Sequence, residues 1–194
     1  GYDKGNHLIS DPLKKLSAVK QLIIALLFCA GFIPASAQTT YTWNLAGGGN
    51  WATATNWTPS RSSPSANDIL VINGGGSKSI TNVITQTIGQ LQITGNTSVV
   101  LSPSGAARTL TLSNTGQALL IQSGSSLSLI GESGGGTRSM TISFSGTGNT
   151  ALVAGTLNLN ITANDPGIYN ATNSSTTVSG RIINNGGTLT SSSA

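Results

Sequence analysis

The chain predicts an all-β fold, a stacked β-solenoid of short strands, with an antiparallel β-sandwich as the alternative. Three observations lead there. Short apolar pulses alternate with hydroxyl and amide residues, Gly and Asn turn formers separate the pulses, and no window after residue 37 shows helical periodicity. Alternation is plain in Thr109-Leu110-Thr111-Leu112, in Met140–Phe144 and in Thr156–Ile161. A period of two places one set of side chains in a core and the other in water.

The first element is a leader. Lys14, Lys15 and Lys20 precede an apolar run from Leu22 to Phe28 and on to Ile33; Pro34 ends it, and Ala35-Ser36-Ala37 follows. A basic n-region, a short apolar h-region and an A-x-A site read as a secretory signal peptide cut after Ala37. The run falls short of the about 20 apolar residues that span a bilayer, so no stable membrane span is expected after cleavage. Cys29, the only cysteine, lies in the h-region behind Phe28, where lipidation would require a small residue. The chain opens on Gly1, its only methionine is Met140, and Leu189–Ala194 stops inside a repeating pattern. The expectation is that residues 1–37 are upstream residues plus leader, and that further repeats of the same chain follow.

A net charge of +4 and a pI near 9.6 suggest an acidic partner until the charges are located. Beyond Ala37 there remain Arg61, Lys78, Arg108, Arg138 and Arg181 against Asp68, Glu132 and Asp165, a net +2. These cations stand singly, whereas a nucleic-acid surface needs a basic stripe that neutralises several phosphates together. No nucleic-acid partner is expected.

Residues 38–65 hold all three tryptophans, Trp43, Trp51 and Trp57, among Gly47-Gly48-Gly49, Asn50 and Asn56. They are read as an N-terminal cap, since the open end coils of a solenoid expose unpaired strand edges. Residues 66–194 are read as solenoid repeats, incomplete at the C-terminus. Their pulses run from Ile69–Ile72 through Ile88-Leu91-Ile93, Val99–Leu101, Leu119–Ile121 and Leu127-Leu129-Ile130 to Leu157-Leu159-Ile161 and Ile182-Ile183. Between them lie Asn73-Gly74-Gly75-Gly76, Gly95-Asn96, Asn114-Thr115-Gly116, Gly134-Gly135-Gly136 and Asn185-Gly186-Gly187, which turn without steric penalty. A strand about every 8–12 residues suits a sandwich as well as a solenoid.

Three features favour the solenoid. A phrase of Gly followed by an aliphatic recurs at Gly124…Leu127, Gly155-Thr156-Leu157, Gly180-Arg181-Ile182 and Gly187-Thr188-Leu189, as repeat architectures require. After Trp57 the only aromatics are Phe144 and Tyr169, too few for the bulky core of a sandwich. The polar positions are Thr, Ser and Asn, which can stack on their like in adjacent coils.

Little in the mature chain suggests chemistry. The only histidine, His7, precedes the leader, and Asp68, Glu132 and Asp165 are far apart in sequence and outside any motif; glycosidases need two facing carboxylates. The Gly runs lack the Lys-Ser/Thr of a P-loop and precede no helix. Asn164-Asp165-Pro166-Gly167 reads as a turn rather than a calcium site, which would call for several carboxylates. No catalytic, cofactor-binding or metal-binding residue is assigned, and no cofactor. Exposed Trp51 and Trp57 could stack on sugar rings; burial of all three indoles against the first coil is the competing reading.

Tyr41-Thr42-Trp43-Asn44, then Gly47-Gly48-Gly49-Asn50-Trp51, Asn56-Trp57-Thr58-Pro59 and Asn67-Asp68 before an aliphatic run resemble the opening of large secreted bacterial repeat proteins. These are the autotransporter-associated β-helical repeat proteins and the surface adhesins of Bacteroidetes-type bacteria. The likeness covers residues 41–72 by phrase and the rest by repeat style. It implies a right-handed parallel β-helix, an extracellular or cell-surface location and an adhesin-like passenger or stalk that meets a glycan, matrix or cell surface. The alternative is a carbohydrate-binding module of a larger secreted enzyme, using Trp51 and Trp57. N-terminal sequencing of the exported protein is expected to begin at Gln38; a product retaining Leu22–Ile33 would mean an anchor instead of a cleaved leader.

Overall fold

A computed structural model describes Gly1, residues 37–172 and residues 174–191. The leader expected over residues 1–37 therefore lies, apart from Gly1 and Ala37, outside the described residues. Among the described residues no helix is long and apolar enough to cross a membrane.

The fold is all-β, and its sheets are predominantly parallel. The opening segment contributes β1 (Thr40–Trp43), β2 (Gly49–Asn50), a 3-10 turn at Ala54–Asn56 and β3 (Trp57–Thr58). Strands then come in threes: β4 (Ile69–Ile72), β5 (Gly76–Val83) and β6 (Gln86–Ile88); β7 (Gln90–Ile93), β8 (Thr97–Pro103) and β9 (Arg108–Leu112); β10 (Gly116–Ile121), β11 (Ser126–Leu129) and β12 (Met140–Phe144). Two more sets follow: β13 (Asn149–Val153), β14 (Thr156–Thr162) and β15 (Asp165–Ala171), then β16 (Ser174–Val178), β17 (Arg181–Asn185) and β18 (Thr188–Ser191).

From β4 onward each strand except β6, which begins its ladder, pairs in parallel with the strand three places before it. A first ladder runs β1-β4-β7-β10-β13-β16, a second β2-β5-β8-β11-β14-β17 and a third β6-β9-β12-β15-β18. Each set of three is one rung. An antiparallel hairpin, β14 with β15, joins the second and third ladders, and β3 closes the outer edge of β1 antiparallel. The antiparallel sandwich is thereby corrected: from Ile69 onward antiparallel pairing is confined to that hairpin and one bridge, Asn160 to Gly186, among the described residues.

Like stacks on like. In the first ladder Ile72, Ile93, Ile121, Val153 and Val178 form one column, and Leu70, Leu91 and Leu119 another. The second ladder aligns Ile80, Leu101, Leu129 and Leu159, and the third aligns Leu110, Ile142, Tyr169 and Leu189. These positions alternate with mostly polar ones along the strands, and the inward set is buried except in the last described rung, where Val178 and Leu189 are each 45% exposed. At about 25 cal/mol per Å² of apolar surface removed from water, these columns are the main favourable term. Phe144 and Tyr169 add an edge-to-face contact at 5.8 Å. Burial pushes the Tyr169 phenol above its ordinary pKa, while its 2.9 Å hydrogen bond with Thr176 pulls the other way.

The recurring Gly-aliphatic phrase has a steric cause. Gly124, Gly155 and Gly180 stand at the corner before β11, β14 and β17, where successive turns lie against one another. A Cβ at Gly155 would overlap the Ser125 and Gln122 carbonyls, and one at Gly180 the Gly155 carbonyl. The turn at residues 163–167 differs from the expected one. Ala163 and Asn164 turn, with Ala163 at φ 54°, and Asp165-Pro166-Gly167 already belongs to β15. Gly167 packs its backbone against Leu129, so glycine there serves close approach. Gly155→Ala is expected to destabilise the fold by about 1–3 kcal/mol, the scale of forced overpacking, in a thermal melt followed by circular dichroism. Gly135→Ala, with nothing within 4 Å of its added Cβ, is expected to melt like the parent.

Candidate functional site

The opening segment is built into the stack: β1 and β2 are themselves ladder strands, and β3 covers the edge of β1. Trp43, Trp51 and Trp57 are 3%, 1% and 2% exposed. Trp57 lies between the other two, with edge-to-face contacts at 5.0 Å to Trp43 and 5.1 Å to Trp51. Its Nε1 donates to the Trp51 carbonyl at 3.1 Å. Such contacts contribute about 0.5–1.5 kcal/mol each beyond the area buried. Sugar stacking on Trp51 and Trp57 is thereby corrected, because each indole is enclosed by the core and offers no free ring face.

Charges close the same end. Arg61 and Asp68 form a buried ion pair at 2.7 Å, with both side chains 3% exposed. Arg61 also donates from Nη1 to Gln86 Oε1 at 3.1 Å, which fastens the 59–68 segment to the first strand of the third ladder. The Tyr41 ring lies 5.8 Å from its guanidinium carbon. Asp68 Oδ2 accepts the Ser65 N–H as well. Lys78 points inward from β5, in register with Val99, Leu127 and Leu157, and donates its ammonium to the Leu45 and Ala46 carbonyls at 3.0 Å each. Sequence reasoning read Arg61 and Lys78 only as charges standing singly. Parity could have found Lys78: in Ser77-Lys78-Ser79-Ile80 it shares a face with the buried isoleucine.

The remaining carboxylates also hold structure. Glu132 accepts the Gly105 N–H at 2.7 Å and pairs with Arg138 at 3.3 Å, while Asp165 accepts the Arg138 N–H at 2.8 Å. Stacking thus brings two carboxylates that are far apart in sequence to one arginine. No group of three or more His, Cys, Asp or Glu side chains placed to hold a metal occurs among the described residues.

An open groove of about 430 Å³ follows the corner between the first and second ladders. Ser98, Ser126 and Thr156 line it in one column that ends on Arg181, whose Nε donates to the Thr156 hydroxyl at 3.2 Å. Hydroxyls, glycine backbone and one cation can hydrogen-bond a polar ligand, and nothing there can act as a base or nucleophile activator. Comparison with family models, curated proteins and solved structures returned no match.

Arg61→Met should destabilise the protein by about 3–5 kcal/mol, because it leaves the Asp68 carboxylate buried and unpaired. Adding Asp68→Leu should recover most of that loss in denaturant melts. Trp57→Ala should cost about 3–5 kcal/mol through the lost aromatic packing.

Proposed function

We propose that residues 38–194 form a right-handed parallel β-helix, exported and displayed outside the cell as an adhesin-like passenger or stalk with a structural or adhesive role. The observation that carries this reading is the ladder register. From β4 onward the chain visits the three ladders in the same order rung after rung and pairs each strand but β6 with the one three places earlier. Right-handed connection between parallel strands is the overwhelming rule, which supports the handedness. The leader motif supports export, and the opening phrase supports the adhesin comparison. Outward positions are mainly hydroxyls and amides, such as Ser126, Ser128, Asn158 and Asn160 on the second ladder. Such a rod offers many weak, repeated contacts, whose summed avidity can exceed any single one.

The carbohydrate-binding-module alternative loses its platform with the burial of Trp51 and Trp57. A glycan partner would meet the corner groove or an outward face instead.

Protease added to intact cells is expected to remove the protein, and the purified mature chain is expected to coat a glycan or matrix surface. Protein confined to the cytoplasm with its leader intact would refute the reading. Trp51→Ala and Trp57→Ala are expected to lower stability without selectively abolishing adhesion; selective loss would restore the binding-module alternative.

A further inference from the structure

The third ladder differs from its neighbours on its outward side. One outward column runs Thr87, Thr111, Ser143, Asn170 and Thr190. The column beside it runs Thr109, Thr141, Ile168 and Thr188. Threonine fills six of these nine positions, and no charged residue stands in either column. The outward positions of the first ladder include Val71, Leu120 and Leu152, and the first outward column of the second ends on Arg181. Among the described residues, none of the six threonine hydroxyls in the two columns is hydrogen-bonded to another protein group; Thr109 engages through its backbone N–H alone.

We propose that this face binds ice, as a two-column array of hydroxyls and methyls that anchors an ordered water lattice. Spacing is the first argument. Parallel strands lie about 4.7–4.9 Å apart, and alternate residues along a strand repeat at about 6.6 Å. The inter-strand repeat lies close to the shorter oxygen repeat on the prism face of hexagonal ice, and the along-strand repeat is somewhat shorter than its longer one. Stiffness is the second. Threonine is β-branched and restricted at χ1, so neighbouring hydroxyls keep one arrangement before any contact forms. The third is entropic. A water held by a protein loses freedom, but a water at an ice surface has already lost it, so a preorganised array favours the crystal over the liquid. Charged side chains would oppose this by keeping their own hydration shells, and these columns contain none.

A saccharide surface is the less favoured occupant. The face carries no exposed aromatic, Tyr169 being turned inward, and its only side-chain amide is Asn170. The inference goes beyond the adhesive reading and rests on the register of the third ladder, independent of handedness or export.

The test is ice growth in a nanolitre osmometer with the purified mature chain. The expected result is faceted crystals and a gap between melting and freezing points. Thr111→Tyr and Thr141→Tyr, each confirmed folded by circular dichroism, are expected to lose that gap. Thr150→Tyr, an exposed outward position on the first ladder, is expected to retain it. Thr111→Ser keeps the hydroxyl and frees the rotamer, so it is expected to narrow the gap without unfolding the chain. Rounded crystals with no gap would overturn the proposal, as would a gap that Thr111→Ser leaves unchanged or that Thr150→Tyr also abolishes. Retention on insoluble chitin or cellulose, lost on Thr111→Tyr in a chain inert to ice, would overturn it too and leave the adhesive reading standing.

Discussion

Everything in this protein depends on the parallel backbone pairing of each rung with the next. A strand in the middle of the stack spends its N–H and C=O groups on the rungs before and after it, as β10 does between β7 and β13. That pairing fixes the register, and the register fixes the columns. A one-residue slip would turn each leucine or isoleucine outward and each hydroxyl inward. The apolar columns hold the ladder in place as much as the ladder aligns the columns. Glycine at the corners follows from the same constraint, since successive turns approach as closely as successive strands.

Stacking of this kind leaves a problem at the first rung, where no earlier rung among the described residues supplies partners. Here the chain answers it in three ways. A short antiparallel strand, β3, covers the edge of the first ladder. Three indoles fill the interior at that end. Buried charge does the rest: Lys78 takes two backbone carbonyls, and the Arg61–Asp68 pair holds the exit segment against Gln86. A buried ion pair is weak evidence for stability in itself, but it is strongly position-specific, because removal of one partner leaves the other uncompensated. Its role here is to select where the segment lies.

The same division of labour separates the protein's inside from its outside. Inward positions are constrained by volume and repeat leucine, isoleucine and valine. Outward positions are free of that constraint, and each ladder uses them differently: mixed and partly apolar on the first, mostly serine and asparagine with Val100, Thr156, Arg181 and Ile183 on the second, mostly threonine on the third. The carboxylates, for their part, serve backbone and arginine partners.

The all-β class, the positions of most strands and the parity of their core residues were legible from sequence. Alternation and Gly/Asn spacing are local properties, and Leu110, Ile142 or Leu157 show their inward side within a few residues. The expectation of stacked strands, drawn from scarce aromatics and the recurrent Gly-aliphatic phrase, is compatible with the parallel ladders. Three things required tertiary structure. Which strand pairs with which is a contact across tens of residues: Asn114 accepts from Asn149, 35 positions away. The fate of Trp51 and Trp57 turned on enclosure, since an indole beside glycines reads equally as a platform or a plug until its neighbours are known. The burial of Arg61, Asp68 and Lys78 was hidden because a charged residue reads as exposed until a distant partner is found. Local pattern determines which face of a strand is dry; only the packing of distant segments decides what that face meets.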